Sequence, residues 1–274
     1  MNSSSNTDPN SLIFLKLGGS LITDKQTPRT HRQAIIDRLV EEIGIARQNN
    51  PDLRILLGHG SGSFGHSSGI KYGTRDGVQT KEEWIGFAEV WHDAACLNQI
   101  VTETLIRAGI PVIVFPPSSA ITTSNRSIIS WDITPIENAI NRNLVPVVFG
   151  DVVFDQSIGG TILSTEDLFV YLAAELTPAR ILLAGRDPGV WEDYPECTSV
   201  LPRITPSDLP GLEGKLGDSS APDVTGGMAS KVKQMLQLVE KNPGLKILIF
   251  SGEEPGVTSE VISGESHGTI LHST

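Results

Sequence analysis

The chain has 274 residues, 39 % hydrophobic and 19 % charged, with a formal net charge of −11. That length supports a sizeable core, and the acidic balance excludes a nonspecific DNA or RNA binder, which needs a basic footprint. A small phosphorylated ligand stays compatible with it, because a pocket can be locally basic.

The opening MNSSSNTDPNS lacks the basic flank and apolar core of a signal peptide. Residues 1–11 read as a flexible segment ahead of one domain over 12–274. SLIFLKLGGS then begins a series of short apolar runs that end in glycine-rich or polar turns. RILLGHGSGS, PVIVFPPSS, LVPVVFGDVVFD, ARILLAGRD and LKILIFSGEE continue it. Unbroken runs of this kind predict strands covered on both faces. Between them, 31–49 predicts a helix with Ile35, Leu39, Ile43 and Ile45 on its apolar stripe. A longer helix is expected over 82–108, with Trp84, Phe87, Trp91, Ala95 and Leu105 apolar, and shorter ones over 134–142, 167–176 and 227–241. The Pro-, Gly-, Ser- and Asp-rich 193–224 predicts a surface excursion, and weak alternation over 255–269 predicts a late strand pair. Strand, glycine turn and helix in this alternation predict an α/β sandwich, whose ligands gather beyond the carboxyl ends of the strands. No apolar run approaches the ~20 residues needed to cross a bilayer, so a cytoplasmic enzyme or binding protein is expected. Cys96 and Cys197 have no ligand spacing and are expected to be buried free thiols.

Chemistry concentrates at the turns. In LKLGGS, Lys16 lies inside a strand that ends in Gly18, Gly19 and Ser20. A glycine pair lets the backbone bring its N–H groups close to an anion, with the Lys16 ammonium above it; a plain hairpin with a solvated lysine is the competing reading. Neither a Walker A sequence nor GxGxxG is present. In TGGMASKV, Gly226 and Gly227 open a helix whose start can hold an anion, and Lys231 sits where the helix field disfavours a cation. Lys233 points elsewhere, towards solvent. Two lysines converging on a phosphate suggest phosphoryl transfer, in which a carboxylate orients the lysines or holds magnesium. Asp167 and Asp151 are the candidates, although Glu166 and Asp167 also suit helix capping. HGSGSFGH lacks zinc spacing. Its glycines permit close approach to an anion, His66 can donate to a phosphate, and His59 is structural.

Together, KLGGSLITDK, GHGSGSFGH, FGDVVFD, ILSTEDLFVYLA and TGGMASK resemble the amino acid kinase superfamily. Within it, the SFGH ending and Lys25 are similar to the isopentenyl phosphate kinase branch and to its relative, the fosfomycin-resistance kinases. The likeness covers roughly residues 12–271. It implies an αβα sandwich with a largely parallel central sheet, an acceptor lobe over about 12–178 and a nucleotide lobe over about 179–274, assembled as a homodimer. It implies ATP and Mg2+ as cofactors and isopentenyl phosphate as acceptor, phosphorylated directly to the diphosphate. By this likeness Lys16 contacts the transferring phosphoryl group, Gly18, Gly19 and Ser20 hold nucleotide phosphates, and Lys25 approaches them from above. His66 holds the acceptor phosphate with Gly60, Ser61, Gly62, Ser63 and Gly150. Asp167 orients the lysines and Lys231 binds ATP, with Asp187, Gly189 and Gly227 also on the nucleotide side. No residue is assigned to a metal, and neither nucleic acid nor membrane is expected as a partner. Three departures stand out: Ser61 replaces a glycine, Glu166 an aspartate, and Arg186 and Pro188 alter a nucleotide-side turn. Trp84, Phe87, Ala88, Trp91 and Ile129 are offered as the acceptor's apolar pocket, with simple core packing as their other reading. A phosphonate kinase such as one acting on fosfomycin is the alternative enzyme, and a noncatalytic ligand sensor the alternative class.

Overall fold

Alternation along the first strand, Leu12–Leu17, sends Leu12 and Phe14 into one apolar cluster and Ile13, Leu15 and Leu17 into another. A sheet covered on both faces is the result. The computed structural model describes residues 12–212 and 227–274. Its central sheet has eight strands, in the order Arg203–Ile204, Thr269–Leu271, Lys246–Ser251, Arg180–Gly185, Leu12–Leu17, Arg54–His59, Val145–Phe149 and Val112–Val114. Neighbours run parallel except Lys246–Ser251 and Thr269–Leu271, which are antiparallel.

The helices Thr165–Leu176 and Gly227–Lys241 pack on the Phe14 face, where Phe169, Leu172, Met235 and Val239 are buried. On the Leu15 face lie Gln33–Asn49, the second half of Lys81–Arg107, and Val257–Ser263. This is the expected αβα sandwich. A second sheet of Ser127–Trp131, Ile121–Ser124, Asp151–Asp155 and Gly159–Leu163 stands beside it. There Val152 and Ile162 pack on Val78, Phe87 and Val90 near the start of the long helix.

Several expectations are corrected. The run LVPVVFGDVVFD is two strands in different sheets, broken at Gly150. Residues 255–269 hold the Val257–Ser263 helix, and a single late strand follows at Thr269–Leu271. Within 193–224, Arg203–Ile204 extends the sheet edge, while residues 213–226, like the N-terminal 1–11, lie outside the described residues. The stripe of the Gln33–Asn49 helix runs through Ile36, Leu39, Val40 and Ile43; Ile45 is exposed. Cys96 and Cys197 are free but half-buried.

Register carries the fold to the site. Lys16 pairs with Gly58 on one side and Leu183 on the other, so three neighbouring strands end together. Lys16 also falls on the Phe14 face, where an apolar side chain would gain ~1.5–3 kcal/mol by burial. A lysine there needs a partner.

Candidate active site

Three turns meet where these strands stop. Gly18 N–H donates to Ala184 O, Gly60 N–H to Leu17 O and Gly150 N–H to His59 O. The first two turns touch backbone to backbone. A Cβ on Gly19 would lie 2.5 Å from Gly62 N, and one on Gly60 2.9 Å from Gly19 N. At Gly62 the φ of +51° is left-handed, and a Cβ would meet Thr23 Oγ1 at 2.2 Å. Thr23 latches the pair: its hydroxyl donates to Gly19 O (2.7 Å) and accepts from Ser63 N–H (2.9 Å).

Lys16 finds its partner across the sheet face. Its ammonium pairs with Glu166, in the first turn of the Thr165–Leu176 helix, and Lys231 Nζ stands 3.6 Å from the same carboxylate oxygen. Both members of the Lys16–Glu166 pair are buried. Burial alone would raise the Glu166 pKa, but the two lysines overcome it and hold the carboxyl down at about 2. Among the described residues, one carboxylate thus stands between two lysines.

Glu166, rather than Asp167, is thus the carboxylate paired with these two lysines. Asp167 Oδ2 accepts from the Ser164 N–H and hydroxyl, closing a capping box, and Oδ1 accepts from Gln234. The signal was in the sequence: in STED, Ser164 and Asp167 have capping-box spacing, which leaves Glu166 for other work. Asp151, the other candidate, is buried at the cleft and raised to about 6 by that burial; its oxygens accept from the Val152 and Ser118 N–H groups.

A cleft of about 230 Å³ runs over this cluster. Lys16, Gly18, Gly19, Ser20, Lys25, Gly60, Ser61, Gly62, Ser63, His66, Gly150, Asp187 and Lys231 all line it, so nearly every expected residue converges. Residues of three helix starts, Gly62–Tyr72, Thr165–Leu176 and Gly227–Lys241, reach it as well, which suits an anionic ligand. Gly189 does not line it, and a Cβ there would press within 2.6 Å of Thr269 Oγ1 and Val200 Cγ1. Gly227 is buried with φ +66°, and Met228 and Lys231 of its helix reach the wall instead. Gly226 lies outside the described residues. Arg186 lines the cleft and donates to Glu253, which also pairs with Arg32.

For Phe87 and Trp84 the core-packing reading fits the structure. Phe87 is buried against Trp84 and Phe154 in the core of the small sheet, whereas Trp91 and Ile129 are exposed. Val90 and Ile162 line the cleft in their place. Val90 is three residues from Phe87, one step along the same helix face. His59 is structural as expected: fully buried, bonded to Asn98, stacked on Phe149 at 5.5 Å, and lowered in pKa by burial. Lys233 is exposed, and no described helix is long and apolar enough to cross a membrane.

The model of the amino acid kinase family matches residues 11–251. The chain belongs to that family. It is similar to the isopentenyl phosphate kinase of Methanocaldococcus jannaschii, 33 % identical over 95 % of this chain and 98 % of that protein. The isopentenyl phosphate kinase of Methanothermobacter thermautotrophicus is 31 % identical over 93 % of this chain and 96 % of its own. A crystal structure of an isopentenyl phosphate kinase superposes with a TM-score of 0.81 at 28 % identity, covering 95 % of this chain and 99 % of that one. These relatives thus cover most of this chain's length.

Two predictions follow from the geometry. Gly62→Ala combines left-handed strain with overpacking against Thr23, and urea unfolding should show a loss of about 2–4 kcal/mol. Glu166 has its carboxyl lowered on folding from 4.5 to about 2, so its contribution is complete above pH 4.5 and is lost as pH falls towards 2. The stability gap between wild type and Glu166→Gln should therefore be widest near neutrality and close between pH 4.5 and 2.

Proposed function

We propose that the chain is an ATP-dependent isopentenyl phosphate kinase. The observation that carries the reading is the Lys16–Glu166–Lys231 cluster beneath one cleft that also holds both glycine turns and His66. A nucleophilic phosphate oxygen of isopentenyl phosphate attacks the γ-phosphorus of ATP. The bond to the β–γ bridging oxygen breaks, and isopentenyl diphosphate and ADP leave. The acceptor is already an oxyanion near neutral pH, so no strong protein base is required.

In this reading Lys16 meets the oxygens of the moving phosphoryl group, where charge is greatest in the transition state, and Glu166 holds Lys16 and Lys231 on target. Gly18, Gly19 and Ser20 cradle the nucleotide phosphates, with Lys25 and Lys231 over them and Asp187 towards the nucleoside. His66 donates to the acceptor phosphate beside Gly60, Ser61, Gly62, Ser63 and Gly150. The acceptor lobe of about 12–178 and the nucleotide lobe of about 179–274 meet at the adjacent strands Leu12–Leu17 and Arg180–Gly185. The family likeness supports a homodimer working in the cytoplasm.

Magnesium belongs to this reading as part of the nucleotide complex. The carboxylates near the cleft are engaged: Glu166 with lysines, Asp167 in its cap, Asp151 with N–H groups and Asp187 with Trp191 Nε1. Among the described residues, the grouping with metal-ligand proximity is Glu260, Glu265 and His267, away from the cleft wall. Carried with the nucleotide, the ion would supply countercharge to the phosphates.

Val90 and Ile162 favour a prenyl tail over a polar phosphonate. Steady-state kinetics with MgATP should give a clear preference for isopentenyl phosphate over fosfomycin; the reverse preference would overturn the assignment. His66→Ala should raise the acceptor KM at least tenfold with little change for ATP, the loss of a charge-assisted hydrogen bond. Lys16→Met should lower kcat by about a hundredfold or more while binding of both substrates changes little.

A further inference from the structure

We infer that Arg29, through its ion pair with Asp93, is a positioning residue that holds Lys25 over the cleft; this rests on the kinase reading above. Lys25 sits in an exposed connection that starts and ends close together, since Thr23 bridges His31 and Asp24 N–H donates to Thr30 O (2.9 Å). Residues 25–29 are all exposed, so no apolar anchor fixes the tip of this loop. Polar contacts do that work, and the strongest belong to Arg29.

Arg29 Nη2 reaches both oxygens of Asp93, at 2.9 and 3.0 Å, and Glu89 at 3.3 Å. Its backbone N–H donates to Ser63 O at 3.3 Å. Asp93 is only 2 % exposed and lies three residues beyond Val90, on the same face of the Lys81–Arg107 helix. Ser68, from the helix that carries His66, donates to the same carboxylate at 3.0 Å. One buried carboxylate therefore joins the three elements that put Lys25, His66 and Val90 on the cleft wall.

Two features separate this from ordinary stability. Arg29 has φ +52°, a left-handed conformation that costs a non-glycine residue ~1–3 kcal/mol and persists only where its surroundings impose it. And a buried acid reached by a half-exposed arginine is a poor way to gain stability, because an apolar residue in the same place commonly does as well or better. What the pair does provide is a fixed register: four residues from Lys25, it pins the loop to the acceptor-side helices.

The test is a double-mutant cycle on kcat/KM for isopentenyl phosphate with MgATP saturating. Arg29→Ala should lower it about tenfold or more in the wild-type background, the scale of a displaced catalytic group. In a Lys25→Ala background it should lower it less than about twofold, because the group it positions is gone. Equal losses in both backgrounds, or a silent Lys25→Ala, would overturn the inference. Should Arg29→Ala not fold, the isosteric Asp93→Asn in the same two backgrounds decides, with the same expected coupling. Wild-type enzyme inert towards isopentenyl phosphate would sink the kinase reading itself, a failure distinct from an additive cycle in an active enzyme.

Discussion

A lysine built into a fully covered strand is tolerable only with a counter-charge beside it, and the rest of this molecule is arranged around how Lys16 obtains one. The pleat aims Lys16 at the helix layer over Phe14, and the capping box of Ser164 and Asp167 starts that helix so that Glu166 falls opposite. Lys231 arrives from a third element at 3.6 Å. Among the described residues two cations share one buried anion, in a chain whose overall charge is −11. Such an arrangement is costly to desolvate, and it becomes intelligible when a phosphate completes the charge balance.

The backbone serves the same end. Parallel strands in register end together, so their turns converge. Gly19 and Gly62 let two of those turns approach to distances no side chain permits, and both turns line the same cleft as the two lysines. Preorganisation of that kind costs nothing at the moment of reaction, because the strain is met during folding by the Thr23 latch and by the sheet. The end of the cleft lined by His66 and Val90 is built differently. Its wall is made by side chains of two helices and a strand of the small sheet, with Asp93 tying the helices and the Lys25 loop together.

Much of this was legible in the sequence, for a physical reason. Apolar runs ending in glycine turns are dictated locally, so the sandwich, Lys16, both glycine turns, His66 and Lys231 could be read from short windows. What escaped depended on partners far along the chain. Lys16 and Glu166 are 150 residues apart, and which of Glu166 and Asp167 faces the lysines is decided by a cap geometry that the motif order conceals. Gly189 fits a nucleotide-turn pattern, yet its neighbours Thr269 and Val200 come from distant segments. Phe87 and Val90 share a helix face, and only the position of the small sheet determines that Val90 reaches the cleft while Phe87 does not. The break at Gly150 sends one apolar run into two sheets, which periodicity alone does not show.

In the kinase reading, Glu166 holds the lysines for the transition state rather than for ground-state binding. Single-turnover kinetics of Glu166→Gln, with dissociation constants for ATP and isopentenyl phosphate measured alongside, tests it most directly. The transfer rate should fall by about a hundredfold, the scale of losing one preorganised electrostatic contact, with both dissociation constants within about threefold of wild type. A transfer rate unchanged from wild type would contradict it.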